Sequence, residues 1–262
     1  MLPRQVAKPP KDNCYAVFMV QILHGMSLML LMQILMTCFS FFNAKFPDEM
    51  VESRFPFAIN FTIFIGTIFF TFYGTRCSPT PVIITCFIGQ IISAGIFPMI
   101  SNQGGHKAFW ICFVLLMTAG LCTGLTTGAL FATSAKLPSS YIGIFMTATG
   151  ASGLVVSILR LISLLAWPGS APGSDSAYKS VLFMFYVGIA VSAMCIFGQI
   201  VMARSKFAQY YINRKGNDEF DILHIDEAST SLGQVHPEDI ESDDVTPTGS
   251  QQYGLLDVNY TE

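Results

Sequence analysis

Long apolar stretches alternate with short polar ones along most of this chain. Each apolar stretch reaches about 20 residues, the length that an α-helix needs to cross the hydrocarbon core of a bilayer. The stretches are too long and too continuously apolar for barrel strands, which are shorter and alternate polar with apolar residues. The pattern therefore predicts an all-α, polytopic membrane protein. Its six transmembrane helices are expected at about residues 15–42, 55–73, 81–100, 108–134, 140–167 and 180–203.

Polar segments divide the chain into three predicted parts. Residues 1–14 form a polar N-terminal segment, residues 15–215 the six-helix domain, and residues 216–262 an acidic tail. A tail of that composition buries too little apolar surface to fold alone, so we expect it to be disordered. The connection "AKLPSS" between the fourth and fifth spans is short. We therefore expect those two helices to be antiparallel neighbours.

The composition agrees with a membrane protein and argues against several other classes. Hydrophobic residues make up 52% of the chain and charged residues 12%, about half the charged share of soluble domains. There is no Walker motif, zinc-ligand pair or nucleophile elbow, and the four histidines are scattered. No basic patch suggests nucleic acid. The sequence thus predicts neither an enzyme nor a metal site, a cofactor or a nucleic-acid partner.

Lysine and arginine are distributed unevenly between the two predicted sides of the membrane. One side holds Arg4, Lys8, Lys11, Arg76, Lys136, Arg204, Lys206, Arg214 and Lys215, and the other holds Lys45, Arg54, Lys107 and Lys179. The richer side carries both chain termini. Because cytoplasmic loops are enriched in these residues, we expect both termini of this multi-pass protein to be cytoplasmic, in a plasma or organelle membrane.

Arg160 is the charged residue that lies deep inside a predicted span. A charge there costs at least about 2.5–3.5 kcal/mol on insertion scales. The side chain must therefore face a polar cavity, bind a partner or extend to the membrane surface. No Asp or Glu occurs between Glu52 and Asp175. The expected partners are backbone carbonyls, a group outside these helices, or the amides of Gln33, Asn60 and Gln90, and both a structural and a functional role stay open.

The missing carboxylates also bear on energy coupling. Carriers that couple transport to protons or sodium usually place Asp or Glu inside the membrane. If this chain transports a solute, the sequence favours facilitated diffusion.

Small residues line one face of the fourth span and recur in the fifth. Gly120, Gly124 and Gly128 are four residues apart, and the fifth span carries Gly150 and Gly153. Such residues let a neighbouring helix backbone approach closely. We interpret all five as helix-packing glycines and expect the two small faces to form a continuous packing surface. The alternative is a smooth path along which a flat ligand moves.

The stretch "GALFATSAKLPSSYIGIFMTATGASGLVVSILRLIS" resembles the equilibrative nucleoside transporter family. In that family a run of small and aromatic residues ends the fourth helix. A Leu-Pro-x-x-Tyr turn and a glycine-rich fifth helix follow, with an arginine matched by Arg160. The first-span stretch "GMSLMLLMQILMTCFSFF" and the exit "SKFAQYYINRK" are similar too, so the resemblance covers about residues 10–215. It implies the first six of eleven helices, half of a major-facilitator-like carrier for nucleosides or nucleobases.

The resemblance also implies a substrate site near the membrane midplane, among the first, fourth and fifth spans. The last two residues of the family's first-helix Pro-Trp-Asn fall on Met32 and Gln33. The family's glutamines in the fourth and fifth helices fall on Thr127 and Thr149. The implied roles are hydrogen bonds from Gln33 and the two threonines, and an apolar ring contact from Met32. Arg160 would hold a gate or accept a polar partner from the second half.

Two functions of different classes follow. The first is a facilitative carrier of nucleosides or nucleobases, truncated or working with a second polypeptide or a copy of itself. The second is a non-transporting structural subunit of a larger membrane complex. A weaker third is half of an unrelated major-facilitator protein, whose usual charged signature is missing from "GTRCSPTP". The expected partners are the lipid bilayer, a nucleoside or nucleobase, and a partner subunit or homo-oligomer that supplies the second half.

Overall fold

A computed structural model describes residues 15–74, 78–168 and 174–211 of the chain. Within these ranges the backbone forms helices and no strands. The helices are α1 (Ala16–Thr37), α2 (Phe39–Lys45), α3 (Val51–Tyr73), α4 (Pro79–Ser101), α5 (Gly105–Ser134), α6 (Ser139–Ala166) and α7 (Asp175–Arg204). All but α2 are long and apolar enough to cross a membrane. The chain is thus all-α and polytopic, as predicted, while the expected N-terminal segment 1–14 and acidic tail 216–262 lie outside the described residues.

Turn residues and caps set the ends of several helices. Pro79 begins α4, where its missing N–H removes no helical hydrogen bond. Ser174 caps α7, because its Oγ accepts a hydrogen bond from the backbone N–H of Ala177 at 3.2 Å. The chain enters α5 through Gly104 (φ 67°) and Gly105 (φ 81°), the residue before the helix and its first residue; glycine adopts positive φ without steric cost.

The first predicted span consists of two helices and not one. Cys38 departs from helical geometry with φ -101° and ψ 7°. Just before it, the Thr37 hydroxyl donates to the carbonyl of Ile34 at 2.8 Å, a type of bond that bends helices. After the break, Phe42 packs 5.3 Å, centroid to centroid, from the ring of Phe97. The prediction of one continuous helix over 15–42 is therefore wrong, because the bend brings the phenylalanines of α2 into the core.

The six long helices pack on one another in series. α3 packs on α5, α5 on α4, α4 on α7, α7 on α1, and α1 on α6. α1 is the most buried of the six and α6 the least. α3 and α6 therefore stand at the two ends of the series, and both expose many large apolar side chains.

The helices joined by the short loop at residues 135–138 make only a small contact, in which the ring centroids of Phe131 and Phe145 lie 5.2 Å apart. α5 packs mainly against α3 and α4, whereas α6 packs mainly against α1. Gly25 of α1 draws α6 close: a Cβ added there would stand 3.0 Å from the Cβ of Ala148. The expectation that the fourth and fifth spans are packing neighbours therefore holds only at this small contact, because α6 packs along α1 instead.

Three of the glycines of α5, Gly120, Gly124 and Gly128, lie against α3. A Cβ added to Gly120 would stand 2.6 Å from the carbonyl oxygen of Ile59. One added to Gly124 would stand 3.0 Å from the Cα of Gly66. Real Cβ atoms do not approach so closely, so the two backbones meet at a separation that larger side chains would prevent.

The glycines of α6 lie on a different kind of surface. A Cβ on Gly150 would meet nothing within 4 Å among the described residues, and one on Gly153 would meet only the Gln33 amide, at 3.7 Å. The packing face of α6 carries Ala148 and Ser152 instead, both buried. At 100° per residue, Gly150 lies well away from that face. The prediction that Gly150 and Gly153 continue the packing surface of α5 is therefore wrong: Gly150 is exposed, and Gly153 lies against Gln33 of α1.

Candidate functional site

Gln33 and Gly153 bring α1 and α6 together at the level of the candidate site. The Gln33 amide nitrogen lies 3.7 Å from the position that a Cβ on Gly153 would take. At that distance a Cβ on Gly153 would make ordinary van der Waals contact with the amide. Gln33 is half-buried, and its amide has no hydrogen-bond partner within the described ranges. It can therefore both donate to and accept from a polar ligand.

The hydroxyls of Thr127 and Thr149 are already engaged by their own helices. Thr127 donates to the carbonyl of Thr123 at 2.7 Å, and Thr149 donates to the carbonyl of Phe145 at 2.9 Å. Each hydroxyl has therefore used its one proton and keeps lone pairs that can accept from a ligand N–H or O–H.

The helix register decides which of these residues share a surface. Thr149 precedes Gly153 by four residues, so it lies one turn away on the same side of α6 as the Gln33 contact. Met32 points about 100° around α1 from Gln33, and Thr127 lies on α5. Gln33 and Thr149 thus lie on the sides of α1 and α6 that face each other, and we call this surface the seam. By the same register, Met32 and Thr127 lie outside the seam.

Arg160 binds a partner on α7. Its Nη1 donates to the hydroxyl oxygen of Ser180 at 2.8 Å. That oxygen also lies 2.6 Å from the hydroxyl of Ser163, which is one turn beyond Arg160 on α6. Two serines and the guanidinium therefore tie the end of α6 to the beginning of α7.

The amides expected to pair with Arg160 have other partners or positions. Asn60 donates to the carbonyl of Pro56 at 2.9 Å, and Gln90 donates to the hydroxyl of Thr123 at 3.1 Å. Serine is so common near helix starts that its type alone does not mark it as a partner. The sequence feature that could have identified the partner of Arg160 is the position of Ser180, which lies in the second turn of α7, the next helix along the chain.

A second set of polar side chains lies inside the bundle, toward the beginning of α1. Gln21 accepts through Oε1 from the hydroxyl of Ser134 on α5 at 2.9 Å. The His24 Nε2 lies 3.2 Å from the carbonyl oxygen of Cys195 on α7, and its ring stacks on Phe87 of α4. Gln21 and His24 are fully buried. They connect helices inside the bundle, and their spacing of three residues on α1 was the sequence signal for a shared buried face.

An ionic cluster joins the loop after α2 to the beginnings of α3 and α5. Glu49 accepts through Oε2 from Nη1 of Arg54 at 2.6 Å. Its Oε1 lies 2.5 Å from Nδ1 of His106, and Nε2 of His106 accepts from the indole N–H of Trp110 at 3.0 Å. These groups tie the bundle together at the end opposite the start of α1. In the part of the chain that the structure describes, no three His, Cys, Asp or Glu side chains are placed to hold a metal ion.

Comparisons with known proteins point in one direction. A family model described as "Nucleoside transporter" matches residues 113–260. Equilibrative nucleotide transporter 8 of Arabidopsis thaliana is 22% identical over 192 residues, which cover 71% of this chain and 48% of that protein. Equilibrative nucleotide transporter 1 of the same plant is 21% identical over 256 residues, which cover 95% of this chain and 56% of that protein. The chain spans about half the length of the curated relatives that it matches.

Proposed function

This chain belongs to the nucleoside transporter family, and we propose that it carries nucleosides or nucleobases down their concentration gradient. The observation that carries the proposal is the family match over residues 113–260, which includes most of α5 and all of α6 and α7. The six membrane-length helices agree with a multi-pass protein, and the family match and the relatives point to a transporter and not to an enzyme.

The distribution of carboxylates supports gradient-driven movement. Within the described spans, Glu52 lies in the first turn of α3 and Asp175 in the first turn of α7. No Asp or Glu occurs between these two positions in the sequence. A coupled carrier would use such a group to take up a proton or a sodium ion within the membrane.

The seam between α1 and α6 is the proposed substrate-contacting surface. Gln33 offers an amide donor and acceptor, which match the polar edge of a nucleobase or the hydroxyls of a ribose. Thr149 would accept a hydrogen bond within this seam. Thr127 on α5 and Met32 on another face of α1 lie outside the seam, and they would contact a different part of the substrate, Thr127 as an acceptor and Met32 as an apolar contact to a base. Arg160 would hold the α6–α7 end of this surface through Ser180, or turn toward a polar group of a second half.

We also propose that a second half completes the carrier, supplied by further chain, a second polypeptide or another copy. The family match, together with an alignment that covers about half of each curated relative, supports this arrangement. The excess of lysine and arginine on the side of the termini supports a cytoplasmic location for both of them.

Uptake into proteoliposomes tests the proposed transport. Radiolabelled uridine and adenosine would be offered to vesicles holding the chain alone and the chain with any partner that co-purifies. We expect saturable uptake that unlabelled nucleoside inhibits, and at least a several-fold lower rate for Gln33→Ala. Asn60→Ala is the matched control, because Asn60 is an exposed amide on α3 that bonds its own helix, and its uptake should equal that of the wild type. Vesicles that show no saturable flux in either preparation would rule out the carrier.

One observation favours a non-transporting subunit as the second candidate. The hydroxyls of Thr127 and Thr149 are bonded to their own helices, which leaves the Gln33 amide as the free two-way hydrogen-bonding group of the seam. Crosslinking in native membranes followed by purification tests this function. A stable partner without nucleoside flux supports the subunit, and a monomer with no crosslinked partner contradicts it.

A further inference from the structure

An apolar groove runs between α1 and α7 on the outward surface of the described bundle. Its volume is about 660 Å³. Its lining includes Ala16, Met19, Met26, Ala193, Phe197 and Val201. At the bottom of the groove the two helices touch: a Cβ added to Gly198 would stand 3.2 Å from a methyl carbon of Val20. The groove therefore has walls on two helices and a closed floor.

The walls of the groove are well exposed. Met19 is 63% exposed and Phe197 is 70% exposed. In a membrane these side chains face hydrocarbon. Lipid tails are as apolar as the side chains of such a groove, so an apolar surface alone does not favour one lipid over another. Any preference for one lipid headgroup over another must therefore come from the polar and charged side chains at the end of the groove.

Basic residues stand where the groove meets the membrane surface. Phe197, Val201 and Arg204 are spaced by four and then three residues on α7, so Arg204 continues the face that lines the groove. Lys206 follows one residue after the helix cap at Ser205. Arg204 and Lys206 are exposed, and neither forms an ion pair with another described residue. Among the residues that the structure describes, the apolar groove therefore ends in positive charge with no carboxylate paired to it.

An aromatic residue marks the same level on the other wall. Tyr15 immediately precedes α1 and is 70% exposed. Tyrosine is enriched at the membrane–water interface, where its ring lies among the lipid headgroups. Arg204 on α7 and Tyr15 on α1 thus flank the groove at headgroup depth.

We propose that this groove binds one anionic glycerophospholipid of the leaflet on the side of the termini. One acyl chain lies along the groove between Met26 and Ala16, and the phosphate lies at Arg204 with Lys206 beside it. The proposal concerns the groove between α1 and α7 and uses none of the proposed substrate-contacting residues, so it stands whether or not the chain carries nucleosides. A basic residue near a membrane surface favours an anionic lipid by about fivefold.

Native mass spectrometry of the full chain in detergent tests the site. The protein would be titrated with phosphatidylglycerol and, separately, with phosphatidylcholine of identical acyl chains. We expect tighter retention of phosphatidylglycerol, with Arg204→Gln weakening it about fivefold and leaving phosphatidylcholine unchanged. Lys136→Gln is the matched control, because Lys136 is also on the side of the termini but lies in the α5–α6 connection. Equal retention of the two lipids, or equal effects of the two variants, would overturn the proposal.

A second pair of variants tests the groove itself. Ala193→Phe fills the groove and should reduce retention of both lipids several-fold. Ala151→Phe places the same ring on an exposed position of α6 and should change neither. Circular dichroism and a single elution peak would establish that each variant folds, and Ala193→Leu replaces Ala193→Phe if the larger ring prevents folding. A folded groove-filling variant that retains phosphatidylglycerol like the wild type would mean that the lipid binds elsewhere.

Discussion

At the scale of single residues, Arg160 shows how a charge is accommodated in a helix without a carboxylate partner. Its guanidinium is half-buried and donates to Ser180, whose oxygen also bonds Ser163. The neutral Ser180 hydroxyl accepts a hydrogen bond from the Arg160 guanidinium but does not neutralise its positive charge. The net charge therefore remains available to an anionic or polar group that approaches the α6–α7 end of the bundle.

Removing the Ser180 hydroxyl should destabilise the protein. Hydrogen bonds to charged groups contribute about 1.5–3 kcal/mol, and side-chain bonds between membrane helices average less than that. We expect Ser180→Ala to lower the free energy of unfolding by about 1–2 kcal/mol, measured as a lower midpoint of thermal unfolding in detergent. Ser192→Ala is the control on the same helix, because Ser192 bonds only the carbonyl of Gly188 one turn away. Equal midpoints for the two variants would mean that the Arg160 contact contributes nothing to stability.

The position of Arg160 in the fifth span could be predicted from sequence, and its partner could not. A single charge in a long apolar run is visible in the pattern, and its need for a polar neighbour follows from solvation. The choice among Ser180 and the amides depends on which helices become neighbours. That information is not local, so the sequence pointed to Gln33, Asn60 and Gln90 while the structure selects a serine on α7.

At the scale of helices, glycine decides which surfaces meet. The α3–α5 contact uses Gly66 on one side and Gly124 on the other, so that each backbone fits where the other lacks a side chain. The Thr67 hydroxyl donates to the carbonyl of Ile63 at 2.9 Å and shares that proton with the carbonyl of Gly124 at 3.3 Å. Because packing and such bonds drive association in lipid, this contact should dominate the stability of the α3–α5 pair.

Gly124→Val and Gly150→Val should therefore differ sharply. The first introduces methyl groups where a Cβ would already stand 3.0 Å from the Cα of Gly66, and overpacking of this kind typically costs about 1–3 kcal/mol. The second adds the same side chain where nothing lies within 4 Å among the described residues. The midpoint of thermal unfolding should fall clearly for Gly124→Val and stay near the wild-type value for Gly150→Val. Similar losses for both would contradict the assignment of the packing face.

The extents of the helices were largely predictable, whereas their pairing was not. Apolar runs bounded by turn residues gave limits close to the structural ones, as for α4 and α5. The break at Cys38 has no local signal, because apolar residues continue on both sides of it. The sequence did not predict which helices pack together. A helix that is apolar on every side has no periodic pattern of polar residues to show which face meets a neighbour. Gly25 and Gly66, which receive neighbouring helices, are recognisable only once their partners are known.

At the scale of the whole molecule, the series of helices places the loop after α2 and the end of α7 at opposite sides of the membrane. Chemical labelling tests this topology in sealed vesicles, with Cys14 and Cys77 replaced by serine to remove cysteines near the polar segments. Asp48→Cys should react with an impermeant maleimide from one side and Lys206→Cys from the other, with Lys206 on the cytoplasmic side. If both cysteines reacted from the same side, the odd number of membrane crossings between positions 48 and 206 would be contradicted. If they reacted from opposite sides but with position 206 outside, only the proposed orientation would be contradicted.

The burial of His24 also has a consequence for biosynthesis. Its partner, the carbonyl of Cys195, is 171 residues further along the chain, and the partner of Gln21, the Ser134 hydroxyl, is 113 residues further. At about 5–20 residues per second, the ribosome delivers α7 some 10–30 s after α1. Until α7 is made, the His24 imidazole on α1 lacks the Cys195 carbonyl that it contacts in the folded bundle. The contact between His24 and Cys195 can therefore form only after α7 has been synthesised.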